Sequence, residues 1–143
     1  MDLRQAQTGD LPAVLSLLGQ QKLPTDGVES AIGDFIIAEE EGALAGTIGL
    51  ERYGRYGLLR SAAVADAWQG KGVGALLVGR LLETAQACGL SDLYLLTTTA
   101  EGYFPRFGFR TIPREAVPEP VQASVEFTTA CPSSATAMVR ELS

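Results

Sequence analysis

The stretch QGKGVG, Gln69–Gly74, sets three glycines within five residues directly ahead of an apolar helical repeat. Glycines between a strand and a helix leave backbone N–H groups unobstructed by Cβ atoms, so a ligand can approach them closely. The free amides of a first helical turn, with the positive end of the helix dipole behind them, suit a phosphate. The spacing is neither G-x-x-x-x-G-K-S/T nor G-x-G-x-x-G; it reads Q-x-x-G-x-G through Gln69, Gly72 and Gly74. The chain has no histidine, which excludes Ser-His-Asp and Cys-His catalysis and histidine-based metal sites. No metal is expected.

Other side chains could act beside that loop. Arg60 lies in LLRSAAV, the strand leading to it, and its guanidinium fork suits an α-carboxylate. The same charge could instead pair with Glu51 on the neighbouring strand. Thr97, Thr98 and Thr99 end an apolar segment and offer hydroxyls to an acceptor, although β-propensity alone also accounts for them. Glu51 is the first candidate for a general base, with pairing to Arg60 or Arg52 as the competing use of its charge.

The elements that must position these residues follow from periodicity. DLRQA reads as a strand, and Leu11, Val14, Leu15 and Leu18 form the buried stripe of a first helix. FIIAEEEGALAGTIGLERY predicts a hairpin turning at Glu41-Gly42, with RYGLLRSAAVA as the third strand of the meander. Strict alternation would put Arg60, Ala62 and Val64 on one face of that strand and Ser61 and Ala63 on the other. From Gly72, the apolar positions Val73, Leu76, Leu77, Leu81, Leu82 and Ala85 define a helix stopped by Gly89. LSDLYLLTTT has the composition of a mid-sheet strand covered on both faces. A short helix over Ala100–Arg106, a strand in FGFRTI, a helix over Val121–Phe127 and an edge strand in SATAMVREL complete the chain.

Q-x-x-G-x-G after a strand of this type resembles the signature of the GNAT superfamily of acetyl-CoA-dependent N-acetyltransferases, and the resemblance spans nearly the whole chain. LLTTTAEGYFPRFGF is similar to the matching block of the N-acetylglutamate synthase type of amino-acid acetyltransferase. VPEPVQASVEF and CPSSATAM resemble the arsenic-resistance N-acetyltransferase branch. The implied fold is α/β (α+β): a mixed, mostly antiparallel central sheet of six to seven strands flanked by about four helices, splayed mid-sheet to admit acetyl-CoA.

The resemblance implies that main-chain groups of Gln69, Gly70, Lys71, Gly72, Val73, Gly74 and Ala75 hold the coenzyme pyrophosphate, with Lys71 adding charge. Ala62 and Val64 would pair with the pantetheine arm, and an amide at Ala62 or Ala63 would meet the oxyanion. The superfamily often supplies a proton to the leaving thiolate from the tyrosine of Y-x-x-x-G-F; here that place is Phe104, with Tyr103 adjacent. The implied activity is acetylation of a small-molecule amine acceptor, an amino acid or an amino-acid-like toxic analogue. A protein or aminoglycoside acceptor, or a non-catalytic acetyl-CoA-binding module, remains open at this point.

Composition sets the outer bounds. The 143 residues, 46% hydrophobic and 20% charged, suit a single domain, 1–143. Acidic residues exceed Lys plus Arg by 17 to 11, which argues against a nucleic-acid surface. No apolar run reaches membrane-spanning length, so a cytoplasmic enzyme is expected, with Cys88 and Cys131 reduced. A homodimer through the carboxyl-terminal edge strand is a further expectation.

Overall fold

The strands are β1 (Asp2–Gln5), β2 (Phe35–Glu40), β3 (Ala43–Tyr53), β4 (Tyr56–Val64), β5 (Asp92–Thr97), β6 (Arg110–Ile112) and β7 (Thr136–Glu141). The helices are α1 (Leu11–Gln20), α2 (Val28–Ala31), α3 (Val73–Ala87) and α4 (Glu119–Gln122). The computed structural model describes residues 1–130 and 134–142, without the side chains of 129 and 130. Cys131 therefore lies outside the described residues, while Cys88 is a free, exposed thiol.

The strands form one seven-stranded sheet in the order β1-β2-β3-β4-β5-β7-β6. All neighbours are antiparallel except β4 and β5. The expected turn at Glu41-Gly42 joins β2 to β3, both residues having positive φ (52° and 81°), as a two-residue hairpin of primed type requires. On one face, Val73, Leu77, Val78, Leu81 and Ala85 of α3 cover the sheet. On the other, Val14, Leu17 and Leu18 of α1 pack with Phe35 and Ile37.

Four sequence expectations require correction. The carboxyl-terminal strand is not an edge: β7 pairs with β5 on one side and with β6 on the other, leaving β1 and β6 outermost. Dimerisation through its edge therefore has no free backbone to use. The helix expected over Val121–Phe127 is split, because α4 ends at Gln122 and a π-helical turn, Glu126–Ala130, follows. Leu76 is 49% exposed, since the buried stripe of α3 is narrower than the apolar pattern suggests.

The fourth correction concerns β4. Thr47 pairs with Ala63 and Gly49 with Arg60, so Ser61 and Ala62 together stand opposite the single Ile48. This is a β-bulge, and Ser61 carries it at φ +58°. The extra residue breaks the alternation: Arg60 and Ala63 face the α1/α2 side, while Leu59 and Val64 face α3.

Candidate active site

The parallel pairing of β4 with β5 runs from Tyr56↔Asp92 to Leu59↔Leu95 and stops there. Both strands continue, to Val64 and Thr97, without pairing to each other. The gap opens into a cavity of about 720 Å³ walled by the unpaired end of β4, the 68–70 loop, the first turn of α3 and Thr97–Thr99. Lys22–Pro24, following α1, close another side.

At the α3 end the loop needs glycine for two reasons. Gly72 is the N-cap residue at φ +82°, a left-handed conformation that side chains disfavour. A Cβ at Gly70 or Gly72 would meet nothing within 4 Å, so the space over the loop is open. No side chain caps α3, which leaves its first amides directed outward. An uncapped helix N-terminus beside an unpaired strand edge fits an extended ligand that ends in a diphosphate.

The side chains around the loop do other work. Gln69 Nε2 donates to Val64 O (3.1 Å), Asp66 Oδ1 (3.3 Å) and Gln21 Oε1 (3.3 Å), bracing the loop against the end of α1. Lys71 is not on the cavity wall; its Nζ lies 5.3 Å from the Trp68 ring centroid. Arg106, which the sequence did not single out, lines the cavity with its guanidinium 4.5 Å from the centre of the Tyr103 ring.

Arg60 is the most buried cation in the fold, with a fully enclosed side chain. Its Nε donates to Ser61 Oγ at 3.0 Å, and its Nη1 donates to Glu51 Oε2 at 2.8 Å. Nη2 has no hydrogen-bond partner among the described residues; Glu126 Oε2 lies 3.7 Å away. The pairing with Glu51 is thus real, while Nη2 makes only the longer ion pair with Glu126.

That pairing engages Glu51, the candidate base of the sequence. Its carboxylate is not on the cavity wall, and it also accepts hydrogen bonds from Ser124 Oγ (2.6 Å) and Tyr53 OH (2.5 Å). Burial pushes its pKa up, but the hydrogen bonds from Ser124, Tyr53 and Arg60 outweigh this and hold it below the ordinary carboxylate value. A carboxylate so satisfied holds Arg60 in place and is a poor proton acceptor. Burial, followed by the bond to Glu51, raises the Tyr53 pKa.

Phe104 packs in the α3-side core and also lines the cavity, so the usual tyrosine position meets the cleft with a ring that carries no hydroxyl. Tyr103 faces the cavity, and its hydroxyl stands 3.0 Å from where a Cβ on Gly74 would be. It therefore meets the opening turn of α3. Thr97, Thr98 and Thr99 all line the cavity, and Thr97 Oγ1 accepts the Ala100 amide at 2.9 Å, shaping the turn after β5. Sequence reasoning missed Glu126, a buried carboxylate on the same wall. Its signal was an acidic residue next to the apolar Phe127 at the end of the helix expected over Val121–Phe127.

Fold and cleft together have the architecture of an acetyltransferase domain. Residues 31–111 match the acetyltransferase (GNAT) domain, and the chain belongs to that family, whose co-substrate is acetyl-CoA. The amino-acid acetyltransferase of Neisseria meningitidis serogroup A is 28% identical over 130 residues, 83% of this chain and 29% of its own length. That of Mycobacterium tuberculosis is 31% identical over 120 residues, 77% and 68% of the two chains.

Among solved structures, N-acetylglutamate synthase from Neisseria gonorrhoeae, complexed with coenzyme A and N-acetyl-glutamate, aligns with a TM-score of 0.85 at 26% identity. The alignment covers 99% of this chain and 35% of that one. Rv2747 from M. tuberculosis, in complex with CoA, aligns at 0.82 and 26% identity over 100% of both chains. The chain thus spans about a third of the length of the Neisseria proteins it resembles. Among the described residues, no helix is long and apolar enough to cross a membrane.

Proposed function

We propose that the chain, acting as one cytoplasmic domain, transfers the acetyl group of acetyl-CoA to the amine of a small amino acid or amino-acid-like toxic analogue. Attack is direct, with both substrates bound. The observation that carries the acceptor class is Arg60, a residue of the cavity wall whose buried Nη2 has no hydrogen-bond partner among the described residues. An unmet guanidinium N–H is costly unless an anion arrives to take it, and a substrate carboxylate does so. The relatives named amino-acid acetyltransferases support the same class.

In this reading the amides from Gln69 to Ala75 hold the diphosphate, and backbone groups of Ala62, Ala63 and Val64 pair with the pantetheine arm. An amide at the bulge receives the oxyanion. Thr98 and Thr99 hydroxyls orient the acceptor. Tyr103 steadies the coenzyme near the start of α3, and solvent protonates the departing thiolate, a fair leaving group. Alignment of two bound reactants supplies much of the rate.

The test is thiol release from acetyl-CoA with a panel of amino acids and their arsenic- and phosphorus-containing analogues, compared with simple amines. Arg60→Lys, which keeps a cation beside Glu51 but loses the fork, should raise KM about 10–100-fold for carboxylate-bearing acceptors. Calorimetric affinity for coenzyme A should not change. Equal loss on acceptors with and without a carboxylate would refute the acceptor assignment.

A further inference from the structure

The ammonium proton of the acceptor needs a destination before attack, and Glu51 lies off the cavity wall. We propose that Glu126 anchors the acceptor ammonium and takes its proton, an inference that rests on the transferase reading above. Among the described residues lining the cavity, Glu126 supplies the only carboxylate, alongside the cations Lys22, Arg60 and Arg106. Its side chain is 6% exposed, and its Oε2 stands 3.7 Å from Arg60 Nη2.

A zwitterionic amino acid carries opposite charges on groups joined through one Cα, a separation comparable to that gap. Its carboxylate can therefore meet Nη2 while its ammonium meets Oε2. The main chain that carries Glu126 is also held in place: its amide donates to Ser124 Oγ at 3.2 Å, and Ser124 Oγ donates to Glu51 Oε1 at 2.6 Å. Glu51 thus serves as the anchor of a chain whose far end faces substrate.

The proton balance is complete. An amine protonated at neutral pH gives one proton to Glu126, which passes it to solvent. The freed nitrogen lone pair forms the N–C bond to the acetyl carbon, and the C–S bond breaks with its electron pair going to sulfur. The second nitrogen proton leaves to solvent as the thiolate gains one, giving amide and thiol. Among the described residues, the charged and titratable groups around Glu126 include Arg60 from β4, Glu51 and Tyr53 from β3 across Ser124, and Lys22 and Arg106 on other walls.

The experiment compares kcat/KM of wild type, Glu126→Gln and Glu126→Asp between pH 6.5 and 10, with one amino acid and one simple amine that wild type accepts. General-base catalysis of this kind is worth about 10²–10⁴-fold, so Glu126→Gln should lose at least about 100-fold at pH 7. That gap should narrow below about tenfold near pH 10, where the amine arrives deprotonated. Glu126→Asp should keep the wild-type pH slope, and coenzyme A should bind all three within about twofold by calorimetry. A Glu126→Gln loss that is the same at every pH, or no loss, overturns the assignment alone. A wild-type protein that binds coenzyme A but acetylates no amine overturns the transferase reading and this assignment with it.

Discussion

Replacing Gly72 by Asp and by Asn tests the proposed diphosphate site at the α3 loop by separating backbone conformation from charge. Both residues must adopt φ +82°, and both place a Cβ where nothing lies within 4 Å, so neither is excluded by packing. The left-handed conformation costs about 1–2 kcal/mol, less for Asn and Asp than for other side chains, so both variants should fold with a modestly lower Tm. Only Asp adds charge. A carboxylate about 5 Å from a phosphate charge, at an effective dielectric near 20, is repelled by roughly 3 kcal/mol. At about 1.4 kcal/mol per decade, that is a loss of about 100-fold in coenzyme A affinity beyond that of Asn. Isothermal calorimetry at about 0.05 M and 0.5 M salt reads both terms, because screening shrinks the Asp penalty and leaves the Asn value nearly unchanged. Equal affinities for Asp and Asn would refute the placement of the diphosphate on these amides.

Arg60→Ala leaves Glu51 buried without its cation and should cost about 3–5 kcal/mol in urea unfolding; a cost below about 1 kcal/mol would show the pair to be dispensable. Stability should also depend on acid. Glu51 and Asp10 have folded pKa values below their ordinary 4.5 and 3.8, the latter held down chiefly by hydrogen bonds from Arg4. A depressed folded value contributes stability above the unfolded pKa that disappears as pH falls through the folded one, so Tm should decline from about pH 5 downward. The Tm difference between wild type and Glu51→Gln should close over the same range, and a difference constant down to about pH 3 would contradict the assignment. Tyr103→Phe keeps the ring contacts with Phe104 and Phe107 and should leave kcat within about threefold while weakening coenzyme A binding; a kcat loss above about 100-fold would make Tyr103 the general acid.

The parts of this architecture legible in the sequence are those specified locally. The hairpin at Glu41-Gly42, the helix opening after Gly72 and the apolar strand Asp92–Thr97 each follow from turn chemistry or periodicity within a dozen residues. The bulge at Ser61 does not, because nothing in LLRSAAV marks a residue that will leave the ladder, and alternation assigned its faces wrongly. The position of β7 was hidden for a different reason. A strand's neighbours are set by which partner returns beside it, and the three residues of β6 that cover it are too few to announce a pairing. Glu126 lies 66 residues beyond Arg60 in the chain, so no spacing rule could join them, whereas Arg60 and Glu51 sit on adjacent strands where pairing could be anticipated.

The bulge connects these elements. β4 must pair with β3 along its length yet release β5 beyond Leu59, and the extra residue redirects the strand at that point. A non-glycine residue held at φ +58° costs on the order of 1–3 kcal/mol and persists only where its surroundings enforce it. Arg60 supplies that enforcement: Nε fastens Ser61, Nη1 fastens Glu51 on β3, and Nη2 is left at the cavity facing Glu126. The guanidinium that stabilises the distorted strand is thus the one proposed to meet the acceptor through Nη2. On the proposed acceptor reading, the distortion of β4 beside the cleft and the recognition of a carboxylate both draw on one buried side chain.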